Sequence, residues 1–180
     1  MNQFQEKRLI KKCIQQDRLA QRVLYEQYKT AMYSKAYRIT NNQDLAHDAL
    51  QEGFIKVFKH IESYKGSGSL AGWIKTIVVR AALQQLKGLH LYLELDDKLV
   101  GESEPFDDDL TGELLDKLMS ELPEKCRIVF TLIEVEGYSH KEVAEELGVA
   151  VGTSKSQLNY AKQLLKTQLK NRGYEQFKKG

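Results

Sequence analysis

"SHKEVAEELGVAVGTSKSQLNYAKQLL", residues 139–165, decides how the chain is read. Ser139 followed by Glu142 has the form of a capping box, in which hydroxyl and carboxylate satisfy orphan amides at a helix start. Val143, Ala144 and Leu147 then recur on one helical face, and Gly148 suits the left-handed turn that ends a helix. A second helix comes next. Leu158, Ala161 and Leu165 stand at i, i+3 and i+7, with Ser154 one turn earlier on that stripe. About half a turn away lie Ser156, Asn159, Tyr160 and Gln163, flanked by Lys155 and Lys162. Amides, hydroxyls and ammonium groups together suit base edges and phosphates. A merely solvated helix has a polar face too, but usually mixes signs, and no acid occurs from 147 to 174. The pair is expected to be a helix-turn-helix that places its second helix in a DNA major groove.

Charge is unevenly spread. Residues 1–93 hold 15 Lys or Arg against 7 Asp or Glu, a balance of +8. Residues 94–113 hold Lys98 against nine acids, a balance of −8, and residues 114–180 hold 11 against 9. The net +2 conceals this pattern. A basic block, an acidic strap and a mildly basic block imply two folded units and a linker, with a polyanionic partner for the basic parts.

Outside residues 89–113 the periodicity is helical, so the fold class is all-α: two small helical domains joined by an acidic flexible linker. Leu9, Ile10 and Cys13, then Leu19, Val23, Leu24 and Tyr28, then Met32, Ala36 and Ile39 form successive apolar stripes. Asp17 is placed to start the second helix, and "TNNQD" at 40–44 is turn chemistry followed by a helix start. Leu45, Ala49, Phe54, Val57, Phe58 and Ile61 are the expected buried stripe of the next helix. "KGSGS" at 65–69 breaks it, and a further helix runs from Leu70 to a stop at Gly88. From Leu89 the periodicity fails. It resumes at Leu114, and Pro123 opens a helix, "EKCRIVFTLIEVE", closed by Gly137. The domains are therefore expected at 1–93 and 114–180, with the linker at 94–113.

No catalytic constellation stands out. There is no Gly-rich phosphate loop ending in Gly-Lys-Ser/Thr, and no paired carboxylates or nucleophile array. Cys13, Cys126, His47, His60, His90 and His140 have no metal-ligand spacing, so neither metal nor cofactor is expected. The two cysteines read as reduced packing residues. No apolar run approaches the ~18 residues of a bilayer span, and "MNQFQEKRLIKKC" has charges where a signal peptide would be apolar. The expectation is a non-enzymatic, cytoplasmic protein without membrane insertion.

"LPEKCRIVFTLIEVEGYSHKEVAEELGV" followed by "GTSKSQL" resembles the C-terminal promoter-reading domain of bacterial sigma factors of the extracytoplasmic-function type. "DLAHDALQEGFIKVFKHIESY", a short loop and "LAGWIKTIVVRAAL" resemble the other domain of the same family, in the family's order. The resemblance covers roughly residues 10–170. It implies an initiation subunit: the N-terminal domain would bind core RNA polymerase and read a melted −10 element, and the C-terminal domain would read duplex −35 DNA. The linker would run through the polymerase. An anti-sigma factor would be a further partner.

Asp48, Gln51 and Glu52 match the family's polymerase-facing D-x-x-Q-E. Tyr64 to Gly68 match the loop that receives a flipped −10 base, so Tyr64, Lys65 and Ser67 are expected at the melted strand, with Trp73, Lys75 and Arg80 on the helix after it. Trp73 suits either the core or a base-stacking platform. The −35 contacts are expected from Ser139, Thr153, Lys155, Ser156, Gln157, Asn159, Tyr160 and Lys162. The chain departs from the family at Arg80 (commonly Asn), Gln84 (commonly Asp), Ala150-Val151 (usually Ser-Glu) and Tyr160 (often Arg). A different reading of the same helices is a free-standing helix-turn-helix repressor or activator. Such a protein binds its operator tightly alone, whereas a sigma factor needs polymerase.

Overall fold

The structure is a computed structural model that describes residues 3–88 and 112–173. It divides into two compact units, Met1–Leu91 and Tyr92–Gly180, and all its regular elements among the described residues are helical. The proposed linker at 94–113 lies outside the described residues, except that Gly112 and Glu113 already open a helix.

The N-terminal unit holds α1 (Gln3–Ile14), α2 (Arg18–Thr40), α3 (Gln43–His60), a 3-10 turn (Ile61–Ser63) and α4 (Leu70–Gly88). Local chemistry sets each start. Asp17 caps α2, its carboxylate accepting from the Leu19 and Ala20 amides at 2.9 and 3.1 Å. Asn41 ends α2 in the left-handed region, and Asn42 caps α3 by accepting from the Leu45 amide at 3.1 Å. α2, α3 and α4 pack on one another around Leu24, Ile39, Val57, Ile61, Leu70, Ile74 and Val78, all essentially without exposure.

The α2 stripe is displaced from its expected line. Leu24, Met32, Ala36 and Ile39 are buried, but Leu19 and Val23 are 75% and 54% exposed. Both satisfy the helical spacing, yet α3 and α4 cover the opposite side of α2. On α3, Ala49, Phe54 and Val57 are buried as expected, as is Ile61 in the 3-10 turn, while Leu45 and Phe58 are half-buried.

Among the described residues, α3 and α4 make the most extensive helix–helix contact. Ala46, Ala49 and Gly53 on α3 and Val78, Ala81 and Ala82 on α4 are all buried. A β-carbon on Gly53 would stand 2.9 Å from Val78 Cγ2 and 3.2 Å from Val78 Cα. The glycine is thus required by backbone approach, despite its cost of ~1 kcal/mol in a helix relative to alanine.

The C-terminal unit holds α5 (Gly112–Ser120), α6 (Glu124–Phe130), a π-helical segment (Thr131–Val135), α7 (His140–Leu147) and α8 (Val151–Asn171). Its core is Leu118, Met119, Leu122, Cys126, Val129, Phe130, Leu132, Val143, Leu158, Ala161 and Leu165. The single helix expected over 124–136 is instead α6 continuing into the π segment, where the Glu136 amide reaches back five residues to the Thr131 carbonyl at 2.9 Å. One extra residue in the turn rotates the downstream chain by about 100°. Cys13 and Cys126 are free, buried thiols, each pushed up to about 11 by burial. The Cys126 thiol donates to Gln157 Oε1 at 3.2 Å.

Gly53→Val is expected to destabilise the N-terminal unit by about 1–3 kcal/mol, the range for overpacking. Thermal unfolding should show an earlier transition, partly restored by adding Val78→Ala. A Gly53→Val chain as stable as wild type would mean that this contact does not fix the α3–α4 spacing.

Candidate nucleic-acid and protein interfaces

Three surfaces carry the residues singled out by sequence. On α3, Asp48 and Gln51 are exposed and Glu52 is half-buried. Glu52 is held on both sides: it forms an ion pair with Lys56 one turn on, and accepts from Gln85 Nε2 of α4 at 3.0 Å. Lys56 in turn donates to Gln84 Oε1 at 3.1 Å. Gln84, a departure from the family, therefore joins α4 to α3. Glu52 positions the two helices, while Asp48 and Gln51 present themselves outward.

The second surface is the loop between the 3-10 turn and α4. Tyr64 Oη donates to the Gly68 carbonyl at 2.8 Å, closing the loop on itself, and the Tyr64 ring rests against Trp73 at 5.6 Å. Gly66 and Gly68 take positive φ values of 73° and 92° that other residues adopt at a cost. Ser69 caps α4 by accepting from the Gly72 amide at 3.1 Å. Lys65 and Ser67 are exposed at the tip, and Trp73 is half-buried. Trp73 thus walls the loop through its contact with Tyr64 and is neither fully buried nor fully open.

Trp73, Arg80 and Lys87 recur every seven residues and share one side of α4, drifting only about 20° per step. Lys75 does not join them. It stands about 200° around the helix from Trp73 and is half-buried. Of the expected −10 contacts on α4, Lys75 and Arg80 therefore do not lie on one side of the helix. A group missed by sequence is Glu6 of α1. After burial, its carboxylate is the next cause raising the Tyr28 and Tyr64 phenols above their ordinary values. The contact of α1 with the 3-10 turn brings this acid beside the loop, and a long-range packing of this kind leaves no local signal.

The third surface is the α7–α8 pair. The capping box forms as expected: the Ser139 amide donates to Glu142 Oε2 at 2.8 Å and the Glu142 amide to Ser139 Oγ at 3.2 Å. Gly148 takes φ 69°, and Ala150 starts α8 without a side-chain cap. Along α8, Lys155 is exposed and Ser156 and Tyr160 are half-exposed, in line with Gly152 and Gln163.

Three of the expected −35 contacts are not open on α8. Thr153, Gln157 and Asn159 are buried, at 7%, 6% and 7% exposure. Gln157 is turned onto Cys126, and groups this buried cannot reach a base edge without disrupting their own packing. Lys162 is corrected as well. Its side chain is 14% exposed and its ammonium is paired with Glu134 at 2.8 Å. The acid missing from α8 itself is supplied by the π segment, whose extra residue changes the phase at which Glu134 emerges.

His140 Nδ1 lies 3.0 Å from Oγ of the fully buried Ser154. This contact ties the first residue of α7 to the first turn of α8. Burial, then Lys155, lowers the His140 pKa; Glu134 opposes that shift and Lys162 adds to it. Among the described residues no cluster of three His, Cys, Asp or Glu is arranged to hold a metal. None of the helices there is long and apolar enough to cross a membrane.

Residues 24–90 match the family model "Sigma-70 region 2" and residues 112–165 match "Sigma-70, region 4". The chain is 29% identical over 155 residues to the ECF RNA polymerase sigma factor SigE of Mycolicibacterium smegmatis, covering 81% of this chain and 60% of that one. Against the ECF RNA polymerase sigma-E factor of Haemophilus influenzae it is 25% identical over 183 residues, covering 93% and 96%. The fold is similar to that of the sigma factor RpoE of Bartonella quintana, solved with the anti-sigma factor NepR. That likeness has a TM-score of 0.54 at 23% identity and covers 83% of this chain and 96% of that one. CnrH, solved with the cytosolic domain of CnrY, has a TM-score of 0.51 at 16% identity over 91% and 96%. The two matches span about two-thirds of the chain in order, and the chain belongs to the sigma-70 family of RNA polymerase sigma factors, extracytoplasmic-function type. Its class is a promoter-directing sigma factor rather than a free-standing repressor.

The His140 shift carries a pH dependence. Folding lowers the pKa below the ordinary 6.5, so the unfolded chain takes up the proton first as pH falls. The stability from the neutral ring is complete above about pH 6.5 and is lost as pH drops through that value towards the lower folded one. Melting temperatures between pH 5 and 8 should fall on the acid side, and His140→Gln should flatten that part of the profile. An unchanged acid limb in His140→Gln would exclude the ring as its source.

Proposed function

We propose that the chain binds core RNA polymerase through the outer face of α3, takes the melted −10 strand at the 64–69 loop and the Trp73–Arg80–Lys87 side of α4, and reads −35 duplex with the exposed first half of α8. One observation carries this reading. Region 2 and region 4 matches occur in order, and each unit presents a basic or hydrogen-bonding surface where the family binds DNA. The acidic strap between them, with its −8 balance, suits passage through a basic nucleic-acid channel. The chain has no catalytic chemistry of its own; it supplies recognition to the polymerase in the cytoplasm.

The groups facing −35 DNA are reduced to Lys155, Ser156 and Tyr160, with Ser139 at the α7 start. Lys155 is a phosphate contact and positions the domain; Ser156 and Tyr160 are the base-edge candidates. Lys162 acts as a strut through Glu134. As in the two solved relatives, whose partners are an anti-sigma factor and the cytosolic domain of CnrY, an inhibitory protein is the expected second partner.

Reconstituted transcription tests the assignment. Asp48→Lys should abolish holoenzyme assembly with little change in thermal unfolding, because an exposed charge contributes little to stability. Core affinity equal to wild type would remove α3 from the interface.

At −35, Ser156→Ala should relax preference at particular positions by ~1–3 kcal/mol. Lys155→Ala should weaken all sequences and lower the salt slope by about one unit. Glu134→Gln should instead release Lys162 to phosphate and steepen that slope. Selection from a randomised −35 library by holoenzyme at two salt concentrations separates these outcomes. An identical preferred sequence for wild type and Ser156→Ala would leave α8 a positioning element.

A further inference from the structure

The outer face of α3 is polar with one exception. Asp48, Gln51, Glu52 and Ile55 stand at i, i+3, i+4 and i+7, a single stripe, and Ile55 is 67% exposed. A β-branched aliphatic residue left open on a helix whose other aliphatics are buried or half-buried needs a reason. Leu19 and Val23 of α2 are also exposed, but they share no helix with the proposed polymerase contacts.

We infer that Ile55 is the apolar anchor of the polymerase interface, inserting into an aliphatic depression ringed by cationic groups on core RNA polymerase. This rests on the reading of α3 as the polymerase face. Exposed ion pairs and hydrogen bonds yield little net affinity, and interfaces depend on a few desolvated anchors surrounded by polar groups that exclude water. Here the rim is Asp48 and Gln51. Glu52 adds little outward charge, since Lys56 and Gln85 already hold it. Those bonds, together with the Gly53–Val78 contact, make α3 a rigid platform, so little ordering entropy opposes docking of Ile55. Asp48 directs the choice of a basic surface on the partner, and Ile55 supplies the area removed from water.

The test compares full-length Ile55→Ser, Ile55→Leu and Asp48→Lys in titrations with purified core polymerase, with thermal unfolding of each chain alone. Ile55→Ser should lose about ten- to hundredfold in affinity, the equivalent of burying one such side chain, while Ile55→Leu stays within about threefold. Melting temperatures should be nearly unchanged, because the side chain is open in the free chain. If Asp48→Lys weakens binding and Ile55→Ser does not, the anchor inference is overturned while the interface stands. If neither changes affinity, the reading of the face falls and the inference with it. A wild-type dimer converted to monomer by Ile55→Ser, at unchanged core affinity, would assign the residue to self-association and overturn the proposal.

Discussion

Gly53 lets α3 lie close enough to α4 for a Val78 methyl and backbone to occupy the space of a side chain. That spacing brings Glu52 within reach of Gln85, and Lys56 within reach of Gln84. The two helices therefore share one core and one set of cross-links, while each turns a different surface outward. α3 offers Asp48, Gln51 and Ile55; α4 offers Arg80 and Lys87 beside the loop closed by Tyr64 and Trp73. A shift between the helices would move the proposed polymerase face relative to the proposed −10 strand face.

The C-terminal unit solves a similar problem with polar groups. α8 begins without a side-chain cap at Ala150, an absence that typically costs ~0.5–2 kcal/mol relative to Ser, Thr, Asn or Asp. Other contacts hold its first half: His140 against Ser154, Gln157 against Cys126, and Lys162 against Glu134. These fix the rotation of α8 about its own axis. The consequence is a narrow open face. Lys162, which a helical wheel assigns to solvent, is drawn into the bracing, and Lys155, Ser156 and Tyr160 are the groups left for the proposed −35 contact.

Much of the fold was legible because its signals are local. Asp17, Asn42 and Ser139 cap the helices their sequence context announces, and Gly148 turns where a left-handed residue is needed. The two-unit organisation followed from charge and periodicity. What a single helix cannot reveal is which neighbour covers it. Leu19 and Val23 have core spacing but no covering helix, and Asn159 looks solvated on its own helix but is buried in the unit. Lys162 has no acid near it on α8 because its partner, Glu134, comes from a distant part of the sequence, on a π turn that no propensity marks. The candidate surfaces were thus located by pattern, while the division between contact residues and struts required tertiary structure.

Three separate surfaces of one chain are proposed to meet three different targets at once. Site-specific photo-crosslinkers at Gln51, Ser67 and Ser156, placed singly in the full chain and assembled with core polymerase on a promoter, test this most directly. The expected crosslinks run from Gln51 to polymerase, from Ser67 to the −10 strand and from Ser156 to −35 duplex, with both DNA crosslinks dependent on polymerase. Efficient, sequence-specific crosslinking of Ser67 and Ser156 to duplex without polymerase, with none from Gln51 to polymerase when it is present, would contradict it.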